Sequence, residues 1–541
     1  MKGKNLWRLG ISTVMAALLL GGCGNSEERV SENNTEAAPK ETADLAESTG
    51  EQSEAAVDTP KYNVTWEDMA EIIVTYPSMN TIQARLPEVE AAINEITESE
   101  INTHVTLQMI EVGNYDQQIN LMMSSGEQTD LMVTMPGGPA SFATMTSQKQ
   151  LKDITELLEE YAPTAVSEIG NLIAGTQING RTFAFPAYKS FSAATYLSMR
   201  TDVLEDLGLK EKAENMTTLK EFEEIMEAVK SSEKWNYLAG ISGADAHGAV
   251  LTMNSTVAYQ DNFQDITYLD NLGDTLYTVA IRNDDNQVLN AFATEEFRHN
   301  YEIVKDWYDK GYVYKDSPTT QEMGSALVKS NAVFALSEYI ELGSESSSSM
   351  NCGMPMTTVS LGTLPITTGS LTKFTWAVPQ TAKEPEAALA FLEMMFTDSR
   401  VANLFAWGIE GVDYEVDDNG VAHYIEGNET PAYHTVSFLN ANKFIVTPWE
   451  GEDPQMLAQL EEEMKTVPTS KYLGFVCNTT EITDEISAIN NAIEQYKAQI
   501  ISGTADEDEY NEFLAKLDDV GINTVVEAYQ TQLDEWLAST K

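Results

Sequence analysis

Basic residues are scarce in this 541-residue sequence: 32 Lys and Arg stand against 85 Asp and Glu, a formal net charge of −53. A chain so acidic repels phosphate backbones, which excludes nucleic acid as a partner class, and it repels anionic membrane surfaces as well. Cysteine is nearly missing too. Cys23, Cys352 and Cys477 are the whole complement, too few for a disulfide framework; Cys352 and Cys477 could pair or could be unpaired and buried, and neither has metal-ligand spacing. Five histidines (104, 247, 299, 423 and 434) show no ligand spacing, so no metal or other cofactor is expected. No P-loop, G-x-G-x-x-G, H-E-x-x-H or G-x-S-x-G element occurs. A glycosidase needs only two placed carboxylates, which 85 acids always offer, so a carbohydrate-active enzyme stays open as an alternative. Residues 413–420 (DYEVDDNG) fit a hairpin turn better than a calcium loop.

Long apolar runs are also lacking. The most apolar stretch, residues 9–20 (LGISTVMAALLL), is 12 residues long, well short of the roughly 20 that span a bilayer. Preceded by Lys2, Lys4 and Arg8, it has the form of an export signal. Leu20-Gly21-Gly22-Cys23 then resembles the lipobox of bacterial lipoproteins. That resemblance implies removal of residues 1–22 and lipidation of Cys23, anchoring the chain to the extracytoplasmic face of the cell membrane. Cleavage would remove three positive charges and no negative one, deepening −53 to −56. Residues 24–61 hold ten acids, three basic residues and no aromatic, a composition that cannot bury enough apolar surface to order itself. As a flexible coil this segment would reach about 35 Å, so residues 23–61 read as an acidic tether.

What is present from Tyr62 onward is an ordinary globular composition, 42 % hydrophobic over the chain, and a length that calls for two lobes or more. Residues 71–77 (EIIVTYP), 104–112 (HVTLQMIEV) and 130–135 (DLMVTM) read as strands, and a helix opens at Pro87 between the first two. This βαβαβ opening predicts an α/β fold with a largely parallel sheet. Thr218-Leu219-Lys220-Glu221 is a capping box before the apolar face Leu219, Phe222, Ile225, Met226 and Val229. Pro385 opens another helix. Ile486, Ile489, Ile493, Tyr496 and Ile500 repeat at helical spacing, as do Val526, Tyr529, Leu533 and Trp536. Residues 414–425 predict a hairpin, and the Ser-rich run 343–349 an exposed loop.

Several stretches carry a resemblance. Asn120-Leu121-Met122-Met123-Ser124-Ser125-Gly126-Glu127-Gln128-Thr129-Asp130-Leu131, Gln177-Ile178-Asn179-Gly180-Arg181-Thr182-Phe183-Ala184-Phe185-Pro186, Met199-Arg200-Thr201-Asp202 with the following Leu207-Gly208-Leu209, and Leu404-Phe405-Ala406-Trp407-Gly408-Ile409-Glu410-Gly411-Val412-Asp413-Tyr414 resemble, in this order, motifs of the extracellular solute-binding proteins of ABC importers, family 1, and specifically the LplA-type lipoproteins. In the last motif Ala406-Trp407 stands where the pattern has Asn-Tyr. The tail from Leu517 to Trp536 is similar to that group's C-terminal domain. The resemblance implies a two-lobed, periplasmic-binding-protein-like fold of type II with crossing hinge strands. It implies a monomer that captures a small solute, an oligosaccharide or other sugar, without catalysis and delivers it to the transmembrane permease. A binder of a non-sugar solute such as a peptide is the alternative within the same fold. Mapped onto this chain, lobe one takes 62–190 plus 366–440 and lobe two 191–365 plus 441–541. Flat aromatic faces and neighbouring carboxylates suit sugar rings, and strand ends facing a cleft are where open α/β sheets bind ligands. The expected contacts are therefore Tyr76, Ser78, Asn80, Asp130, Trp376, Trp407 and Glu410 from lobe one, and Trp235, Tyr339 and Trp449 from lobe two.

Overall fold

The computed structural model describes residues 61–540 apart from 79–82, 244–256, 259–266, 275, 283–284, 321, 342–345, 426–432, 451 and 453. The export signal, Cys23 and most of the acidic tether lie outside the described residues.

The first sheet grows from β1 (Ala70–Ser78), β2 (Thr103–Glu111) and β3 (Leu131–Val133). β1 is central and parallel to both neighbours, so both its faces are covered and Ile72, Val74 and Tyr76 are buried. Parallel strands need crossovers, and α1 (Leu86–Ile101) and α2 (Val112–Ser125) supply them. Pro87 sits in the first turn of α1, whose Val89, Ile93, Thr97 and Ile101 recur every four residues on the buried face. α2 stops at Gly126, whose φ of 73° gives the left-handed cap that side-chain-bearing residues adopt rarely. Strand Thr375–Ala377 then extends the sheet antiparallel to β3, and Phe185–Pro186 pairs antiparallel with it, in the order β2, β1, β3, 375–377, 185–186.

A second sheet runs in the order 356–363, 193–200, 333–341, 239–241. The helix Leu219–Ser231 packs its five predicted apolar residues there, opened by the Thr218/Glu221 capping box. A third, antiparallel sheet (257–258, 267–270, 279–282, 288–290) shares a core with the C-terminal helices Thr483–Ile501, Glu507–Asp519 and Ile522–Ser539. Tyr301 and Tyr510 stack in that core, their ring centroids 4.6 Å apart.

The chain leaves the first sheet after Pro186 to enter the second at Ala193, and returns between Thr363 and Thr375. A further stretch runs alongside the return. Ile366 N–H donates to the Pro468 carbonyl at 2.8 Å and Ser470 N–H to the Ile366 carbonyl at 2.8 Å, a short ladder beside the crossing. Residues after 440 also reach back, since Ala441 and Met464 lie in the core of the first sheet.

One expectation changes and one open alternative closes. The Ser-rich run is not a loop throughout: Ser346–Cys352 is a helix, because Cys352 is buried among Leu327, Val328 and Leu336 and Ser348 Oγ donates to the Glu338 carboxylate. Cys352 and Cys477 are free and buried rather than paired. Burial pushes both thiols up to about 12.

Candidate functional site

The carboxyl ends of β1, β2 and β3 leave the first sheet on one side, where open α/β sheets bind ligands. The turn after β3 is held tightly there. Thr134 N–H donates to the Thr375 carbonyl at 2.8 Å, Met135 N–H to Ala140 at 2.9 Å, and Ser141 N–H to Gly138 at 3.2 Å. Gly138 has φ of 77°, and a Cβ there would stand 2.4 Å from Asp116 Oδ2. The same Asp116 accepts the Ala140 N–H through Oδ1 at 3.0 Å, so glycine at 138 lets the loop close over a carboxylate. Ser141 then caps α3 (Phe142–Ser147), accepting the Thr144 N–H at 3.3 Å.

Two cavities flank this turn. The larger, about 620 Å³, lies between the 135–144 segment, the 272–276 segment and the 475–487 segment. The smaller, about 170 Å³, continues past Pro136 along the crossing at 364–373. Pro136, Gly273, Asp274 and Thr372 belong to both walls, so the two form one groove bent around Pro136. Within the size expected of a small-molecule site, the walls mix apolar surface (Leu276, Val476, Ile486) with hydroxyls (Thr144, Thr480, Ser487). Several of these hydroxyls donate to their own helix: Ser487 to the Thr483 carbonyl at 2.9 Å and Thr372 to the Thr368 carbonyl at 2.9 Å. Their lone pairs are left for a ligand hydroxyl. Among the described residues no group of three or more His, Cys, Asp or Glu could hold a metal ion.

Of the residues named from sequence, those whose side chains are described lie elsewhere, and none of them lines either cavity. Tyr76 is fully buried, its ring 4.8 Å from that of Phe405 and its hydroxyl beside that of Tyr433, and burial pushes its pKa well up. Trp376 is buried and donates Nε1–H to the Leu439 carbonyl at 3.1 Å. Asp130 has no exposed surface: Oδ1 accepts Lys383 N–H at 2.7 Å and Glu384 N–H at 3.0 Å, and Oδ2 accepts Ile73 N–H at 2.9 Å. It ties β1 to the start of the helix Pro385–Thr397. Trp235 is clamped between Lys234 and Arg200, with Nε1–H on Asp206 Oδ2 at 2.8 Å. These four placements correct the expectation of ligand contact, and the reason is common to them: each side chain is occupied in holding its own lobe together. Ser78 is buried at the end of β1. Asn80 lies outside the described residues, and for Tyr339 only the backbone, paired with Thr195, is described.

Trp407, Glu410 and Trp449 belong to a second locale. Trp407 donates Nε1–H to the Thr447 carbonyl at 2.8 Å and packs 4.8 Å from Trp449 and 4.7 Å from His434. Tyr424 closes the cluster 4.8 Å from Trp449. Burial pushes His434 down to about 4. Trp407 is buried, Trp449 half-buried and Glu410 exposed.

With this geometry in view, residues 91–412, more than half of the chain, match the family model described as bacterial extracellular solute-binding protein. The chain is a bacterial extracellular solute-binding protein. Residues 471–538 of this solute-binding protein match a domain of unknown function (DUF3502), which coincides with the C-terminal helices that wall the groove. A relative from Streptococcus pneumoniae serotype 4, "Carbohydrate ABC transporter substrate-binding protein", is 22 % identical over 481 residues, covering 84 % of this chain and 89 % of the relative. The crystal structure of the N-glycan transport solute binding protein NgtS from Streptococcus pneumoniae superposes with a TM-score of 0.73 at 19 % identity, over 87 % of this chain and 100 % of that one. NgtS in complex with Man5GlcNAc superposes at 0.60 and 20 % identity, over 87 % and 99 %. The two-lobed α/β fold of the solute-binding proteins is thus the fold of this chain.

Proposed function

We propose that this solute-binding protein is the carbohydrate-capturing subunit of an ABC importer, held by lipid at Cys23 to the extracytoplasmic face of the membrane and acting as a monomer without catalysis. The observation that carries the reading is the groove around Pro136, set at the carboxyl ends of the first sheet and lined by hydroxyls and aliphatic side chains. The carbohydrate name of the pneumococcal relative and the glycan in the NgtS complex support sugar as the solute class. The lobe division 62–190 plus 366–440 against 191–365 plus 441–541 belongs to this proposal, except that the stretch from Ala441 to Met464, whose ends pack in the core of the first sheet, goes with lobe one; the crossings are the hinge about which a bound sugar closes the cleft for the permease. Ser78, Glu410 and Trp449 are proposed as further contacts in the closed form. Anchoring rests on the Leu20-Gly21-Gly22-Cys23 sequence.

A soluble form starting at Thr59 tests the reading. Its melting temperature is followed against mono- and oligosaccharides, with the sugar recovered and analysed. A ligand that binds only the folded state adds about 2.7 kcal/mol at a hundredfold excess over Kd. The expected result is a midpoint rising with the logarithm of one sugar's concentration and intact sugar afterwards. A shift from oligopeptides alone would sink the sugar assignment, and cleaved polysaccharide would sink the importer assignment.

A further inference from the structure

The groove differs from the rest of the molecule in charge. Of all residues in the chain 22 % are charged, yet among the 27 residues around the larger cavity the one charged side chain is Asp274. The smaller cavity adds Lys373 alone. Asp274 is fully engaged: Oδ1 accepts the Leu276 N–H at 3.0 Å, while Oδ2 accepts the Thr278 N–H at 2.6 Å, the Thr278 hydroxyl at 2.5 Å and the Val279 N–H at 3.2 Å. Lys373 has a partner of its own. Ten of the 27 residues carry a hydroxyl, and Asn120 and Gln148 add amides.

We infer that this groove selects an uncharged, hydroxyl-rich ligand and rejects the same sugar skeleton once it carries a carboxylate. The inference rests on the proposed sugar-capture function and names the class of sugar. Hydroxyl and amide walls exchange hydrogen bonds with sugar hydroxyls in both directions, while the half-buried Leu276, Val476 and Ile486 take the apolar faces of the rings. A uronate would leave its hydration shell and find no free cation among the described residues of the walls, and a buried charge without a partner is strongly unfavourable. The long-range field acts in the same sense, since a chain of formal charge −53 repels anions before they arrive. The two effects differ in range: salt at physiological strength screens beyond about 8 Å, whereas rejection inside the groove survives it. An amino sugar gains from the field but meets no unoccupied carboxylate among the described residues of the walls.

The test uses the soluble form from Thr59 and calorimetric titration with mannopentaose and cellopentaose as neutral probes, pentamannuronate and pentagalacturonate as anionic probes, and pentaglucosamine as the cationic probe. One neutral pentamer is expected to bind, with both uronates at least about 100-fold weaker at 0.15 M NaCl and still more than about tenfold weaker at 0.5 M. Thr144→Trp and Thr480→Trp, which fill the groove from opposite walls, are expected to abolish neutral binding while the midpoint of the free protein stays put. Thr480→Lys is expected to narrow the uronate gap. A uronate binding within tenfold of the best neutral pentamer overturns the charge inference and leaves sugar capture standing. Unchanged neutral binding in both Trp variants overturns the assignment to this groove. No binding by any pentamer, with saturable binding of an oligopeptide pool, overturns the proposed function together with this inference.

Discussion

The Thr368 hydroxyl accepts the backbone N–H of Gly474 at 2.9 Å and faces the Tyr472 carbonyl at 3.4 Å. It thereby fastens the return crossing between the first two sheets to the strand of chain that enters the C-terminal helices. Gly474 has φ of 93°, and a Cβ there would meet the Ala174 carbonyl oxygen at 2.8 Å. Thr368→Val keeps the shape and leaves the Gly474 N–H without its acceptor, which should cost about 1–2 kcal/mol. Thr368→Ser should retain most of the stability, and Gly474→Ala should lose more than Thr368→Val. Chemical denaturation of the three variants measures the order; equal midpoints for Thr368→Val and the parent would remove the fastening role.

Asp130 should matter for folding and not for affinity. Its carboxylate receives three backbone N–H groups across two separate segments, and Asp130→Ala strands them, a loss of about 2–4 kcal/mol. Solute Kd measured on the folded fraction should stay within twofold of the parent; a tenfold rise with unaltered stability would return Asp130 to the binding surface.

Arg85 and Asp413 form a pair in which one member cannot be removed cheaply. Arg85 Nε donates to Asp413 Oδ1 at 2.7 Å, and Asp413 is almost wholly buried while its Oδ2 accepts the Ile409 N–H at 2.8 Å. Arg85→Met leaves that carboxylate without its cation and should cost about 3 kcal/mol, and Arg85→Met with Asp413→Asn should recover part of it. A double-mutant cycle by urea unfolding gives the coupling, and additive losses would deny the pair any interaction.

His434 predicts a pH dependence. Burial among Trp407, Trp449 and Tyr424 holds its folded pKa at about 4, below the ordinary 6.5, and no described residue hydrogen-bonds its Nδ1. Between these values the unfolded chain binds the proton more readily than the folded one. Stability from this group is therefore whole above about pH 6.5 and falls as pH drops toward 4, by about 3 kcal/mol in all. Melting of the parent and His434→Phe across pH 4–7 isolates it: the variant's curve should be flatter over that window, and parallel curves would show that His434 is not the titrating group.

Local physics was legible from sequence and assembly was not. The Thr218/Glu221 capping box, Pro87 and Pro385 each mark a helix start within a few residues. The same locality explains why the family could be read. Asn179 and Gly180, with φ of 53° and 74°, form the two-residue turn of a hairpin. Arg200 grips Asp202 through Nε and Nη2, and Gly408 at φ 87° leaves the room that Asp413 fills. These motif residues lock the fold and line neither cavity of the groove. Groove residues come from segments near 140, 274, 368 and 480, which the crossings bring together. Scattered serines and threonines have no periodicity to betray them, and of the tryptophans that looked like sugar platforms Trp235, Trp376 and Trp407 are buried.

The two thiols of the described residues are buried and, at a pKa near 12, hardly form the nucleophilic thiolate at neutral pH. In a form that begins after Cys23, a cysteine introduced at Thr480, an exposed position on the groove wall, would be the sole group to take a maleimide dye. The molecule is thus a ready chassis for an optical sensor in which the arrival of solute is read directly as a change in light.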